Sequence, residues 1–114
     1  MFTQTQLRKI TDEVTKGVKG ILGDKLRNVI LYGSYARGDY DSESDIDIVV
    51  LADVGEESVN ELEYKIDMVS SDVSMKSGIT VSVFLYDRHL FELRIPISPY
   101  YRNVMNDGVT VYAN

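Results

Sequence analysis

The chain has 114 residues, of which 44% are hydrophobic, and its 12 basic and 18 acidic residues give a net charge of −6. These properties suit one small packed domain, spanning residues 1–114, better than a disordered chain. The acidic balance argues against direct nucleic-acid binding, and the absence of cysteine excludes disulfides and thiolate metal sites.

The first two predicted elements are a helix and a strand. Apolar residues recur every three or four positions from Thr5 to Leu22, which predicts an amphipathic helix. Gly17 and Gly20 each weaken this helix by ~1 kcal/mol relative to alanine. The apolar run 28–32 stops at a glycine and predicts a buried strand.

A polar loop leads into the next two elements. The loop covers Asp39–Ser44, and the segment Asp45–Leu51 follows with the alternating, then apolar, pattern of a strand. A second helical stripe runs from Glu56 to about Met75 and is broken by a Ser-Gly pair.

The last third of the chain predicts a strand, a short helix and a final strand. Ile79–Tyr86 is rich in β-branched and aromatic residues, as strands are. Pro99 suits the first turn of a helix that runs to about Asn106, and an edge strand is expected over Val109–Tyr112. The expected fold is α/β (α+β), with helices packed against a small mixed sheet.

A Gly-Ser turn at the end of the first strand is the first candidate site. Gly33 allows the sharp turn, and Ser34 is expected to cap a short helix that ends at Arg37. The N–H groups of a helix N-terminus bind phosphate, and the Arg37 guanidinium is placed to reach a phosphate oxygen. An ordinary tight turn is the alternative, which a Gly-Ser pair alone would favour.

Two carboxylates follow the turn after ten intervening residues. Asp45 and Asp47 are two positions apart on the second predicted strand, so both project from the same face. Like charges this close repel unless a cation lies between them, and Mg²⁺ takes carboxylate ligands together with substrate phosphates. The ten residues between the Gly-Ser turn and Asp45 are enough for the chain to fold back and place the turn beside the end of the second strand.

The combined string Gly33-Ser34-Tyr35-Ala36-Arg37-Gly38…Ser44-Asp45-Ile46-Asp47-Ile48 resembles the minimal nucleotidyltransferase (MNT) branch of the DNA polymerase beta-like nucleotidyltransferase superfamily. The resemblance implies a truncated palm-like fold that transfers a nucleotidyl group from a nucleoside triphosphate, with ATP the expected substrate. It implies that Gly33 and Ser34 hold the phosphates and that Asp45 and Asp47 hold two Mg²⁺ ions and serve catalysis. In other two-metal sites such ions stabilise the attacking and leaving oxygens.

The resemblance also implies a third carboxylate on a later strand, and here the sequence departs from it. Strand parity places Thr80, Ser82, Phe84 and Tyr86 on the face where that carboxylate is expected. Of these we take Ser82 as its counterpart, and serine is a poor magnesium ligand. Asp87 has the wrong parity for that face unless a bulge intervenes. The loop acids Asp39, Asp41 and Glu43 are the remaining substitutes.

Two main functions are open from the sequence, besides a regulatory domain that senses nucleotide levels. The first is a transferase that adds AMP to a hydroxyl, with a HEPN-domain protein encoded nearby as partner, because similar stand-alone MNT proteins act as antitoxins. The alternative is a catalytically impaired nucleotide-binding module that neutralises its partner by contact. The acceptor and the oligomeric state are left open.

Other features carry less chemistry. His89 is the only histidine, which argues against a zinc site. Arg88, Arg94 and Arg102 are expected to pair with acids more often than with phosphates. No apolar run approaches the ~20 residues of a membrane helix, and no signal-peptide core is present, so a cytoplasmic location is expected.

Overall fold

The computed structural model describes residues 2–114, which form five helices, one 3₁₀ turn and four strands. In chain order the elements are α1 (Gln4–Leu22), the 3₁₀ turn (Gly23–Lys25), β1 (Leu26–Tyr32), α2 (Ser34–Arg37), β2 (Ile46–Ala52), α3 (Glu56–Ser77), β3 (Val81–Asp87), α4 (Arg88–Arg94), α5 (Pro99–Asp107) and β4 (Val109–Ala113).

The four strands form one mixed sheet in the order β3-β2-β1-β4. β1 lies antiparallel to β2 and β4, whereas β2 and β3 are parallel and α3 makes the crossover between them. The predicted mixed sheet and the edge position of β4 are therefore confirmed.

One face of the sheet packs against α1 and α3. Val14 and Val18 of α1 are fully buried there, against Ile48 and Val50 of β2 and Ile66 of α3. Burying each such side chain contributes roughly 1.5–3 kcal/mol, so this face supplies most of the stabilising apolar contact.

The opposite face has a smaller core beneath α4 and α5. Phe91 of α4 and Val104 of α5 pack on Ile30, Val49 and Leu51. A row of residues across the first three strands, beyond this core, is only partly buried. It comprises Tyr32, Asp47 and Ser82.

The helix α4 is an element that the sequence pattern did not predict. Asp87 ends β3 and caps α4, since its carboxylate accepts from the Leu90 N–H (3.1 Å). At seven residues α4 is too short to show helical periodicity. Elsewhere the predicted elements are present, with boundaries moved by one or two residues at most ends. None of the helices between residues 2 and 114 is both long and apolar enough to cross a membrane.

Asp53 ties three elements together at the far end of β2. Its carboxylate binds Arg27 of β1 (2.5 Å) and Arg88 of α4 (2.6 Å). The hydrogen bonds from Arg27 and then Arg88 hold the pKa of Asp53 below its usual value. A lowered pKa means that the stabilisation is complete above the unfolded value of about 4 and is lost as the pH falls through the folded value.

We therefore expect Asp53→Asn to lower Tm at pH 7 by roughly 3–6 °C and to lower it less at pH 3, which lies below the unfolded pKa of about 4, so that part of the ionic stabilisation has been lost. Thermal unfolding of both proteins at the two pH values measures this. Asp72→Asn, which removes only the exposed pair with Lys76, is the control and should change Tm little at either pH. Equal losses for Asp53→Asn at both pH values would contradict the ionic role.

Alanine substitutions at the two glycines of α1 are expected to change stability in opposite directions. A Cβ at Gly17 would lie 2.8 Å from a methyl carbon of Val69 on α3, whereas a Cβ at Gly20 would meet nothing within 4 Å. Gly20→Ala should therefore stabilise the protein by ~0.5–1 kcal/mol through helix propensity. Gly17→Ala should lose that gain and destabilise it by ~1–2 kcal/mol, because the β-branched Val69 cannot easily rotate away.

Urea unfolding of the two alanine variants measures the difference. A stabilised Gly17→Ala variant would show that α1 and α3 separate without cost and would contradict the close packing.

Candidate active site

The turn after β1 is built by Gly33. Its φ of 81° and ψ of −152° lie in a region open mainly to glycine, and it is the N-cap of α2. The Gly33 carbonyl accepts from the N–H groups of Ala36 and Arg37, both at 3.1 Å. The prediction that Ser34 caps the helix is wrong: Ser34 is the first helical residue, because glycine alone accepts the cap conformation.

The turn lies directly against one of the two predicted carboxylates. Tyr32, the last residue of β1, pairs with Asp47 of β2 in the antiparallel ladder. A Cβ at Gly33 would be 3.0 Å from Asp47 Oδ2, so glycine leaves the carboxylate room beside the turn. Asp45 precedes the first strand residue instead of lying within β2, and its side chain is exposed.

The electrostatics of the pair favour a cation. Burial, followed by the charge of Asp45, raises the pKa of Asp47. Within residues 2–114 neither carboxylate forms an ion pair or a side-chain hydrogen bond. Two adjacent acids without a neutralising partner, next to a turn that a side chain would fill, fit a divalent ion with oxygen ligands.

The third position of the row holds Ser82. In the parallel ladder Ser82 of β3 is the partner of Asp47, as strand parity predicted. No other acid replaces a carboxylate there. Asp87 lies at the opposite end of β3 from Ser82, where its carboxylate accepts from the N–H groups of Leu90 and Gly55 (2.9 Å). Across residues 2–114 no three acidic or histidine side chains converge as a metal-binding group.

Two of the three loop acids, Asp39 and Asp41, have local partners. Asp39 binds Arg37 (3.2 Å), and Asp41 accepts from the Glu43 N–H (2.8 Å) within its own turn. Arg37, predicted to reach phosphate, therefore has an exposed carboxylate as its partner. Both side chains are about half exposed or more, so this pair contributes little to stability.

The rings of Tyr32 and Tyr100 form an aromatic wall on one side of Asp47, which the sequence did not indicate. The Tyr100 ring from α5 lies 6.0 Å from that of Tyr32, and its hydroxyl is 3.2 Å from that of Tyr86. Burial, and then the Tyr86 hydrogen bond, raises the pKa of Tyr100, so the phenol stays neutral at physiological pH. Parity on β1 could have placed Tyr32 on the face of Asp47, but only the packing of α5 brings Tyr100 there.

The remaining candidates have structural roles. Arg88 pairs with Asp53, the Arg94 guanidinium donates to the Tyr101 hydroxyl (3.2 Å), and Arg102 donates to a backbone carbonyl. His89 is exposed on α4.

Comparison with known proteins identifies the class. Residues 9–104 match the nucleotidyltransferase domain family. The chain is also 34% identical over 104 residues to a protein of Methanocaldococcus jannaschii that is provisionally named a protein adenylyltransferase, with 91% of this chain and 96% of that one covered. The chain therefore belongs to the nucleotidyltransferase family and is a transferase of that class.

Solved structures agree with the fold. A provisionally named nucleotidyltransferase from Sulfolobus solfataricus aligns with a TM-score of 0.58 at 23% identity, over 96% of this chain and 79% of its own. A chain of a toxin–antitoxin complex with AMP-PNP aligns with a TM-score of 0.56 at 18% identity, over 91% and 73%. At these identities the likeness establishes the fold alone.

The contact between Gly33 and Asp47 gives a matched pair of variants. Gly33→Ala and Gly38→Ala both place alanine at positive φ, 81° and 83°, but only Gly33→Ala pushes a methyl group onto Asp47 Oδ2. We expect Gly33→Ala to weaken Mn²⁺ binding about tenfold relative to Gly38→Ala, because carboxylate ligands must be held within ~0.5 Å of the geometry that coordinates the metal.

Titration of Mn²⁺ followed by electron paramagnetic resonance measures both affinities. Equal affinities in the two variants would show that the turn does not position the carboxylate.

Proposed function

We propose that this protein is a magnesium-dependent nucleotidyltransferase that moves AMP from ATP to a hydroxyl group of a partner protein. The observation that carries the proposal is the closeness of the turn at Gly33 to the carboxylate of Asp47, with Asp45 beside it and no cationic side chain among residues 2–114 paired with either acid.

Each element of the site has a task under this proposal. The turn at Gly33 and Ser34 holds the β and γ phosphates through backbone N–H groups and the Ser34 hydroxyl, and Arg37 can leave Asp39 to meet a phosphate oxygen. Asp45 and Asp47 would hold Mg²⁺, which neutralises the triphosphate and polarises the reacting oxygens. The wall formed by Tyr32 and Tyr100 excludes water from one side of the row.

The reaction balances without any further cofactor. The acceptor hydroxyl oxygen forms a bond to the α-phosphorus of ATP, and the bond from that phosphorus to the bridging oxygen breaks. Pyrophosphate leaves, the hydroxyl proton passes to solvent, and the acceptor carries AMP as a phosphodiester. The chain orients these groups, and positioning of this kind supplies much of the rate in phosphoryl transfer.

The acceptor is proposed to be a protein. The Methanocaldococcus jannaschii relative carries the name of a protein adenylyltransferase, and a structural neighbour is a component of a toxin–antitoxin complex. A HEPN-domain protein encoded nearby is the partner that fits the MNT resemblance. The reaction is proposed to take place in the cytoplasm.

A second candidate function rests on Ser82. Because a serine holds the position next to Asp47 where the family resemblance implies a carboxylate, the protein could bind nucleotide and neutralise its partner by contact alone. The two functions differ in whether the Asp pair is needed.

Replacing both carboxylates distinguishes the enzymatic function from neutralisation by contact. Asp45→Asn with Asp47→Asn should reduce transfer of label from α-labelled ATP to the partner at least ~100-fold, because the metal ligands are lost. The control Asp12→Asn with Asp24→Asn changes the charge equally at exposed positions and should transfer normally. Removal of Mg²⁺ by EDTA should abolish transfer in all three proteins.

Thermal unfolding shows whether the double variant is folded, and we expect its Tm to be unchanged or higher because a repulsive pair has been removed. Undiminished transfer by the Asp45→Asn, Asp47→Asn variant would refute the catalytic role of the two carboxylates. Full neutralisation of the partner without transfer would establish the contact mechanism instead.

A further inference from the structure

We propose that the free edge of β3 is the docking site for the acceptor, which binds there as an extended, basic segment and adds a fifth strand to the sheet. The docking step stands on the geometry of the edge. Its consequence for catalysis, delivery of a hydroxyl to the Asp47 row, rests on the proposed function.

The edge of β3 is unpaired over its central residues. Among the described strands β3 pairs only with β2. Alternate residues of a strand in a parallel ladder direct their N–H and C=O groups to opposite sides. The Thr80 carbonyl accepts from Ile46 on the β2 side (2.9 Å), so Val81, Val83 and Leu85 direct theirs outward.

Only the first of these outward pairs is satisfied by α3. The Val81 N–H donates to Ser74 Oγ (2.9 Å), and the Val81 carbonyl accepts from the hydroxyls of Ser70 and Ser74. The described residues supply no such partners for Val83 and Leu85. Two N–H groups and two carbonyls therefore remain as a template for an added strand.

A groove runs along this edge. It has a volume of about 370 Å³ and lies between β3 and one side of α3. We call it the edge groove; its α3 side is formed by Glu63, Ile66, Asp67 and Ser70, and its β3 side by residues 82–86. The exposed ring of Phe84, 43% accessible, borders it on the active-site face of the sheet.

The charge of the edge groove selects a basic occupant. Glu63 and Asp67 are exposed and form no ion pair within residues 2–114. Lysine or arginine side chains on an added strand would meet these carboxylates while its backbone pairs with Val83 and Leu85. A second copy of this chain, with a net charge of −6, is a poorer occupant for an acidic groove.

The groove ends at the catalytic row. Ser82 lies on the edge strand in register with Asp47, and Asp47 is in register with Tyr32. A residue of the fifth strand opposite Ser82 would be two strand spacings, about 10 Å, from the Asp47 backbone. A long hydroxyl side chain such as tyrosine can lean across Ser82 toward the carboxylates. The small Ser82 side chain leaves that path open. Under this proposal, serine replaces the third carboxylate because a larger side chain would block the acceptor.

The test uses synthetic peptides and the intact protein. The probe is a peptide that alternates lysine and valine around one tyrosine; the controls carry glutamate for lysine, or proline for valine, which prevents strand pairing. Amide hydrogen exchange followed by NMR should show the Val83 and Leu85 amides protected about tenfold or more by the lysine peptide only. No protection of these amides at millimolar lysine peptide would overturn the docking site.

Charge-reversal variants test the selection. Glu63→Lys with Asp67→Lys should weaken binding of the lysine peptide about tenfold and improve binding of the glutamate peptide. Glu61→Lys with Asp72→Lys makes the same charge change outside the edge groove and should have a much smaller effect. Equal weakening by the two variants would show that binding depends on the net charge of the protein and not on the carboxylates of the edge groove, and it would overturn the proposal.

Failure of docking and failure of catalysis are distinguishable. The Asp45→Asn, Asp47→Asn variant should protect Val83 and Leu85 as the wild type does, yet transfer no AMP to the peptide tyrosine. Protection without transfer in the wild type would retain the docking site and refute hydroxyl delivery. Transfer to the lysine peptide without protection would refute the docking site and retain the enzyme.

Discussion

The structure of the site depends on the antiparallel pairing of β1 with β2. This ladder sets Tyr32 opposite Asp47, and so brings the turn that follows β1 against the carboxylate near the start of β2. Because side chains alternate across a strand, a slip of one residue would send Asp47 into the α1 and α3 core and an isoleucine to the site. The buried Ile46 and Ile48 therefore fix the register on one face, and Asp47 is held on the other as a consequence.

One face of the sheet carries most of the apolar core, and the other carries the candidate site. The face under α1 and α3 is covered by apolar contacts, whereas α4 and α5 cover only part of the other face. Asp53 ties α4 to the far end of β2 by binding both Arg88 and Arg27, and α5 then places Tyr100 beside the row. The pKa is raised at Asp47, near the start of β2, and lowered at Asp53, just past its end. Among residues 2–114 Asp47 has no cationic partner, whereas Asp53 has two.

Much of this arrangement follows from local sequence physics. Apolar periodicity predicted α1, α3 and the strands, and strand parity placed Ser82 on the face expected for a third ligand, where the structure pairs it with Asp47. The short helix α4 was missed because its stability comes from the Asp87 cap and from Phe91 in the core. Ser34 was misplaced as the cap because the positive φ of Gly33 decides the helix start. Neither the Tyr100 wall nor the edge groove has a local signal, since each arises where distant segments meet.

The most direct test of the central claim is the location of the metal in the nucleotide complex. Isotope-labelled protein saturated with a non-hydrolysable ATP analogue can be titrated with Mn²⁺ while the broadening of each backbone amide signal is followed. We expect the broadening to be greatest at Gly33, Asp45, Asp47 and Ser82. Broadening centred on the acidic side of α3, around Glu63 and Asp67, with the signals of Gly33 and Asp47 intact, would contradict it.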